Sequence, residues 1–349
     1  MKANPLVIIT TRLPPAACGI GTYSWLLQKH WPNGSEAVEF LVIDGASTLD
    51  RATNFNANTA QLARELKRIG TADVLLHYAG RAYQRFGCPV GLPQVLAKWK
   101  GKFRGARLMI LFHELPGQFP PISRHFWLGK LNSWIIRRLA SLADVVITNT
   151  GTHVAKLREI SGRTDIHFLP VGSNIESSTE SPSPRLRTEF LIFGLPFGRW
   201  QTLERFQIHI RRWQAEGRLT KLHLIGPDQE PALTELDPSI IVRHGMLPST
   251  EVAALLGRFQ FALTNVSEET WSKSGAFMAC AANKCPVIIA SERSGAIPFS
   301  YAIGADEVGA ISDEEIARRT AGLAEWYHAN ADWPVTAARV ASLFDRAGA

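Results

Sequence analysis

The sequence predicts an α/β protein of two doubly wound halves, each a parallel sheet with helices on both faces. Three observations carry this. Short apolar runs alternate with helix-compatible stretches along most of the chain, and the runs end in polar or glycine-rich segments. A Ser/Pro-rich stretch, Ser177–Pro184, then divides the series in two. The chain has 349 residues. That is long for one core and suits two domains of roughly 150–180 residues each.

In the first half, Leu6–Thr10 reads as a strand, followed by a long loop through Tyr23 and a helix over Tyr23–Lys29. The loop holds Gly19, Gly21 and Ser24, which partly match a dinucleotide fingerprint. The match fails: that fingerprint needs a tight strand-to-helix turn and a third glycine, and here about eight residues intervene. What remains is a pair of glycines able to bring backbone N–H groups to an anion, set against a plain glycine-rich loop. Phe40–Ile43 ending at Asp44, Asp73–Tyr78, Leu108–Phe112, Asp144–Thr148 and Ile166–Leu169 read as further strands. Ala60–Ile69 and Ser133–Leu142 read as helices, and Asn149–Thr152 as the cap of another. His77 ends one strand, and His113 directly follows another. A lone histidine is ordinarily structural, but a strand's C-terminal end is where a ligand would meet it.

In the second half, strands are expected at Phe190–Phe193, Lys221–Ile225, Ile240–Gly245 and Phe259–Thr264. Helices are expected over Leu203–Ala215, Ser249–Leu256, Glu314–His328 and Val335–Arg346. The turn at Gly226–Asp228 and the loop at Ser294-Gly295 punctuate the series. The stretch Ser267–Ile289 is the centre of interest: a polar loop with Glu268, Glu269 and Lys273 runs into a small-residue helix, and Pro286 opens a buried strand. Lys273, Ser274 and Gly275 at that helix start offer a cation and backbone N–H groups to a phosphate. The expected domain bounds are 1–176, a linker at 177–186, 187–320, and a helical segment at 321–349.

Hydrophobic content of 46% and charged content of 20% are ordinary for a globular chain. No apolar run approaches the ~20 residues that span a bilayer. Met1–Arg12 lacks the long apolar core of a signal peptide. The four cysteines form no disulfide-like framework, so a cytoplasmic setting is expected, with peripheral placement at the membrane face as an addition. The net charge of +7 is concentrated: from Arg81 to Ala143 there are eleven Lys/Arg and one acid, Glu114, interleaved with aromatics. This is either a solvated basic face or a surface for an anionic partner across region 81–138, a membrane or a lipid-linked phosphate. No nucleic-acid motif accompanies it, and nucleic acid is not expected as a partner.

Several segments then resemble the GT-B glycosyltransferases, most of all the retaining family 4. Cys18–Tyr23 is similar to that family's N-terminal glycine loop, Leu111–Glu114 to its strand–histidine loop, and Leu169–Asn174 to its pre-linker signature. Phe193–Arg199 is similar to the loop carrying a diphosphate-binding basic residue, Leu224–Asp228 to the next strand–turn, and Ser267–Val287 to the E-x7-E segment. The last departs from the pattern. The second glutamate position falls on Met278 or Ala279, the first near Thr270 or Trp271 beside Glu268 and Glu269, and the usual glycine on Asn283 or Lys284. The diphosphate-binding lysine position is taken by Arg199.

The resemblance implies two Rossmann-like domains facing across a cleft, with the C-terminal helices crossing back to the N-domain. It implies transfer of a sugar from a nucleotide-diphosphate sugar, as co-substrate, to a glycan or lipid-linked acceptor. The chemistry would be retaining and metal-independent, with no cofactor. In this reading Glu269 orients the donor sugar hydroxyls and His113 contacts the sugar or acceptor. Gly19, Gly21, Arg199, Lys273, Ser274 and Gly275 hold the diphosphate. Two other readings stay open: a non-catalytic relative that binds a sugar nucleotide or a partner, and a nucleotide-sugar epimerase on the same fold.

Overall fold

In a computed structural model, the structure describes residues 4–16, 18–43, 59–117, 119–177, 185–227, 236–291 and 295–347. Asp44, Asp228, Ser294 and most of the expected linker, 178–184, lie outside them. The chain forms two compact units, one of residues 1–170 with 333–349 and one of residues 171–332.

The apolar runs of the first half become strands because parallel strands covered on both faces leave no room for polar alternation. The first unit contains β1 (Leu6–Thr10), α1 (Gly19–Lys29), β2 (Val38–Val42), α2 (Thr59–Ile69), β3 (Asp73–Tyr78) and α3 (Gly80–Tyr83). It continues with α4 (Gly91–Lys102), β4 (Arg107–Phe112), α5 (Arg124–Leu142), β5 (Val145–Thr148), α6 (Gly151–Ser161) and β6 (Ile166–Phe168). Its sheet runs β2-β1-β3-β4-β5-β6, all parallel. All residues of β1 and β3 are buried. Every connection is a crossover, so the C-terminal strand ends share one edge of the sheet, where α/β proteins bind ligands.

The second unit contains β7 (Leu186–Phe193), α7 (Pro196–Ala215), β8 (Lys221–Ile225), β9 (Ile241–Gly245), α8 (Ser249–Arg258) and β10 (Phe259–Thr264). α9 (Gly275–Ala282), β11 (Val287–Ile289), β12 (Ile303–Gly304) and α10 (Asp313–Asn330) complete it. The sheet order β12-β11-β10-β7-β8-β9 reverses direction between β7 and β10. Period-two alternation splits the core. Phe190, Ile192, Leu222, Leu224 and Phe261 pack with Leu203, Phe206, Ile210 and Trp213 of α7. Leu191, Ile225, Ala262 and Ile289 pack on the other face with α8, α9 and α10.

The last helix, α11 (Trp333–Ala347), belongs to the first unit, where it packs on α1, β4 and β5. Arg107 anchors it, bonding Asp73 through its side chain and the Phe344 carbonyl oxygen at 2.5 Å. The segment expected at 321–349 is therefore divided, with α10 in the second unit. The break between units falls at Pro170–Val171, before the expected linker, because Val171 N–H donates to the Ser272 carbonyl at 2.9 Å and ties the segment to the second unit.

Three helices start earlier than their sequence suggests. α1 begins at Gly19, capped by the Cys18 thiol, which accepts from Gly21 N–H at 3.5 Å. α5 begins at Arg124, capped by Ser123, whose hydroxyl accepts from His125 N–H at 3.1 Å. α7 begins at Pro196, where a missing N–H costs nothing because the first turn leaves its donors unpaired anyway. The glycine loop after β7 is thus only Gly194-Leu195, and Arg199 sits in the first turn of α7.

Candidate functional site

Strand order reverses between β7 and β10, and the C-terminal strand ends at such a point are where an open α/β sheet is expected to offer a ligand site. The loop after β10 is fixed by a turn in which Ser267 N–H donates to the Thr270 hydroxyl at 2.9 Å and Thr270 N–H donates to the Ser267 carbonyl at 3.0 Å. Glu268 and Glu269 are exposed at its tip. The chain then makes a single 3-10 turn over Trp271–Lys273 and enters α9 with Ser274 as cap, its hydroxyl accepting from Phe277 N–H at 3.2 Å. Lys273 is exposed, and Ser274 and Gly275 are half-buried. A Cβ on Gly275 would approach Asn174 Oδ1 to 3.2 Å, so the pre-linker loop lies against the start of α9. Just after β10, Asn265 Nδ2 donates to Gln201 Oε1 of α7 at 3.1 Å. Lys273, Ser274, Gly275 and Glu269 thus come together on one short loop.

Arg199 does not join them. Its side chain is 1% exposed, and its guanidinium donates to the carbonyls of Gly194 at 2.7 Å, Ile225 at 3.0 Å and Pro227. It ties the ends of β7 and β8 together rather than facing solvent. The two glycines beside it serve this arrangement: Gly194 and Gly226 have φ of 141° and 134°, and a Cβ on Gly226 would lie 1.9 Å from the guanidinium. Met278 and Ala279, where the resemblance would put a second glutamate, are fully buried in the apolar helix α9 and face the core. Lys284 has a left-handed φ of 52°, a conformation that a glycine adopts without strain.

In the first unit, Gly19 stands exposed in the first turn of α1, with open space where a Cβ would go. Gly21 is different. It is buried, and a Cβ there would lie 1.5 Å from the Arg12 carbonyl oxygen. Its lack of a side chain lets the helix cross the incoming loop, which is a packing role.

His113 pairs with His77. The parallel register sets His77 beside Leu111, so His113 two residues on shares its side of the sheet. The rings stack at 5.1 Å, and His77 Nδ1 lies 2.8 Å from His113 Nε2. Burial, with the nearby His153 ring, pushes the His113 imidazole down to about 4, opposed by a hydrogen bond from its ring to the Asn149 side chain. Burial beside His113 holds His77 well below the ordinary value. Asn149 in turn donates to the Leu169 carbonyl at 2.8 Å, which leaves its Oδ1 to accept. With Nε2 committed to His77, this assigns the His113 proton to Nδ1 and makes His77 Nδ1–H the donor between the rings. Both rings are neutral, and both nitrogens of His113 are engaged by protein groups. The chain ends at His77 Nε2, which with the Tyr23 hydroxyl finds no hydrogen-bond partner among the described residues. Tyr23 packs edge-on to both histidines and to Trp333 of α11. The spacing along the sequence gave no sign of this pairing; the adjacency of β3 and β4 creates it.

The residue after His113 faces open space. A cavity of about 770 Å³ lies at the C-terminal ends of β3 and β4, lined by Glu114, Arg81, Arg85, Arg124, His125 and Trp127 among others. In the second unit, a further half-buried network joins Glu189 to His223 at 2.8 Å and His223 to His244 at 2.8 Å. Burial lowers the His223 value despite the carboxylate. Among the described residues, no group of three or more His, Cys, Asp or Glu is placed to hold a metal ion. No helix there is long and apolar enough to cross a membrane.

No protein-family model matches the sequence, and no curated protein matches it. Solved structures do match across nearly the whole chain. A glycosyltransferase from Rickettsia africae ESF-5 superposes with a TM-score of 0.67 at 10% identity, covering 99% of this chain and 99% of that one. Sucrose-phosphate synthase from Thermosynechococcus elongatus gives 0.65 at 14% identity, covering 98% of each. An α-glucosyltransferase in complex with UDP and a 13-mer DNA gives 0.61 at 9% identity, covering 98% of this chain and 100% of that one. The fold is that of the GT-B glycosyltransferases.

Proposed function

We propose that the chain transfers a hexosyl group from a nucleotide-diphosphate sugar to a glycan or lipid-linked acceptor, with retention and without a metal. The observation that carries this is the loop Ser267–Gly275 at the β7/β10 strand-order reversal. It sets an exposed cation, Lys273, beside the capped start of α9, where backbone N–H groups favour an anion. The likeness to glycosyltransferase folds, one of them holding UDP, supports the reading. The leaving diphosphate develops negative charge as the glycosidic bond breaks, and fixed donors aimed at it lower the barrier. In this reading Lys273 is the counter-charge, Ser274 and Gly275 supply backbone amides, and Glu269 accepts hydrogen bonds from donor hydroxyls. Arg199 acts indirectly, holding the strand ends that carry the loops. Gly19, exposed at the start of α1, offers a backbone N–H to an anion, and His113 positions Glu114 on the acceptor side. The basic region 81–138 would rest peripherally on a membrane.

The buried Met278 and Ala279 favour a second reading, a protein that binds a sugar nucleotide without turnover, because no carboxylate stands there to grip the ribose. One experiment separates them. The chain is incubated with a panel of nucleotide-diphosphate sugars, and both nucleotide release and anomeric product are followed. Release of nucleoside diphosphate with a retained anomer supports transfer. Binding without release supports the second reading, an epimerised donor supports an epimerase, and no binding overturns the proposal.

A further inference from the structure

The cavity of the first unit has chemistry that the donor loop leaves unexplained. It opens where the loops after β3 and β4 leave the sheet, and three guanidiniums, Arg81, Arg85 and Arg124, line it with His125 against a single carboxylate, Glu114. None of the three arginines makes an ion pair among the described residues. The first turn of α5, which supplies Arg124, His125 and Trp127 to the cavity, contains no acidic residue, so its dipole adds to the positive field. Large apolar side chains of the lining stand in solvent, Trp127 at 67% exposed and Phe86 and Phe119 at 45% each, and Ile122, two residues before Arg124, is 97% exposed. A water-facing surface has no reason to gather these beside unpaired arginines. A lipid–water boundary does, since aromatic rings settle at headgroup level while guanidiniums bind phosphate bidentately.

We propose that this cavity binds the phosphate-bearing head of a membrane-held amphiphile, with Phe119, Ile122 and Trp127 seated in the lipid surface. The volume of about 770 Å³ admits a phosphorylated head group with an attached sugar ring. Arg81 and Arg85 meet the phosphate from the β3 side and Arg124 from the start of α5, and the aromatic rim orients the cavity mouth toward the bilayer. The proposal deepens the acceptor half of the function above and rests on it.

The test uses the full chain and vesicles of phosphatidylcholine, with or without phosphatidic acid, read by co-sedimentation. The chain should sediment with the phosphatidic-acid vesicles alone, and inorganic pyrophosphate should displace it more than sulfate at the same ionic strength. Replacing all three arginines (R81Q, R85Q, R124Q) should weaken partition on the order of a hundredfold, at about 1 kcal/mol per basic residue near an anionic surface. The single change I122S, at a residue outside the cavity lining, should weaken vesicle binding while leaving pyrophosphate binding intact. Pyrophosphate binding without vesicle binding would overturn the lipid assignment. Equal displacement by sulfate would overturn the cavity assignment even if a variant fails to fold. UDP binding, followed in parallel, reads the second unit, so a failed donor reading and a failed lipid proposal give different results.

Discussion

Single residues divide into those the ligand would meet and those the fold requires, and the glycines show the difference. Gly19 and Gly21 look alike in the sequence, yet a Cβ is free at the first and would overlap the Arg12 carbonyl at the second. Gly19→Ala should therefore leave stability within about 0.5 kcal/mol of wild type. Gly21→Ala should cost about 3 kcal/mol or more, or displace α1, because backbone cannot move aside as a side-chain tip can. Thermal melts of the two variants check this, and equal melting temperatures would contradict it. Arg199 gives a second contrast. Removing its guanidinium strands the carbonyls of Gly194, Ile225 and Pro227, a loss of about 3 kcal/mol or more at about 1–3 kcal/mol for each unsatisfied buried group. Arg199→Met should lower the melting temperature markedly while the folded fraction keeps its UDP affinity. Full stability with lost UDP binding would return Arg199 to the diphosphate.

Elements were legible where burial imposes a pattern. β1, β3 and β4 are continuous apolar runs because helices cover both faces of the sheet, and the sequence shows them almost to the residue. Helix starts were harder. Gly19 and Pro196 read as loop residues, yet each opens a helix, since a first turn tolerates what a helix interior rejects. α4 is hidden in the sequence because Gly91 and Pro93 occupy its first turn in the same way. The loop of Lys273, Ser274 and Gly275 was visible as a local sequence feature. The burial of Arg199 was not, because its partners are carbonyls gathered from three separate positions by tertiary packing.

The paired strand ends of β3 and β4 also carry a pH dependence. Burial keeps His77 and His113 neutral in the folded chain, whereas the unfolded chain takes up protons near pH 6.5. Their stabilising share is whole above about pH 6.5 and is lost as pH falls toward about 4, where folded His113 also protonates. Each histidine contributes a slope of about 1.4 kcal/mol per pH unit within that window. Denaturant melts from pH 4 to 8 measure it, and His113→Gln should flatten part of the slope. An unchanged slope would refute the assignment. α11 makes a separate prediction. It buries Trp333, Thr336, Ala337, Val340 and Phe344 in the first unit, so ending the chain at Asp332 should lower that unit's unfolding transition and leave the second's in place. A calorimetric scan in which both transitions move together would contradict the division.

At the scale of the whole molecule, the two units carry different chemistry. The second has a loop at the point of strand-order reversal, with a cation and helix amides suited to a diphosphate. The first has an arginine-lined cavity rimmed by exposed aromatics. The fold is shared with glycosyltransferases at 9–14% identity. In the proposed reading Lys273 and its loop hold the donor diphosphate. Calorimetric titration of UDP into wild type and Lys273→Ala tests it most directly. Losing one charge-assisted contact of about 1.5–3 kcal/mol should weaken binding roughly ten- to a hundredfold, with the melting temperature unchanged because Lys273 is exposed. Equal affinity in the two proteins, or no UDP binding by wild type, would contradict the account.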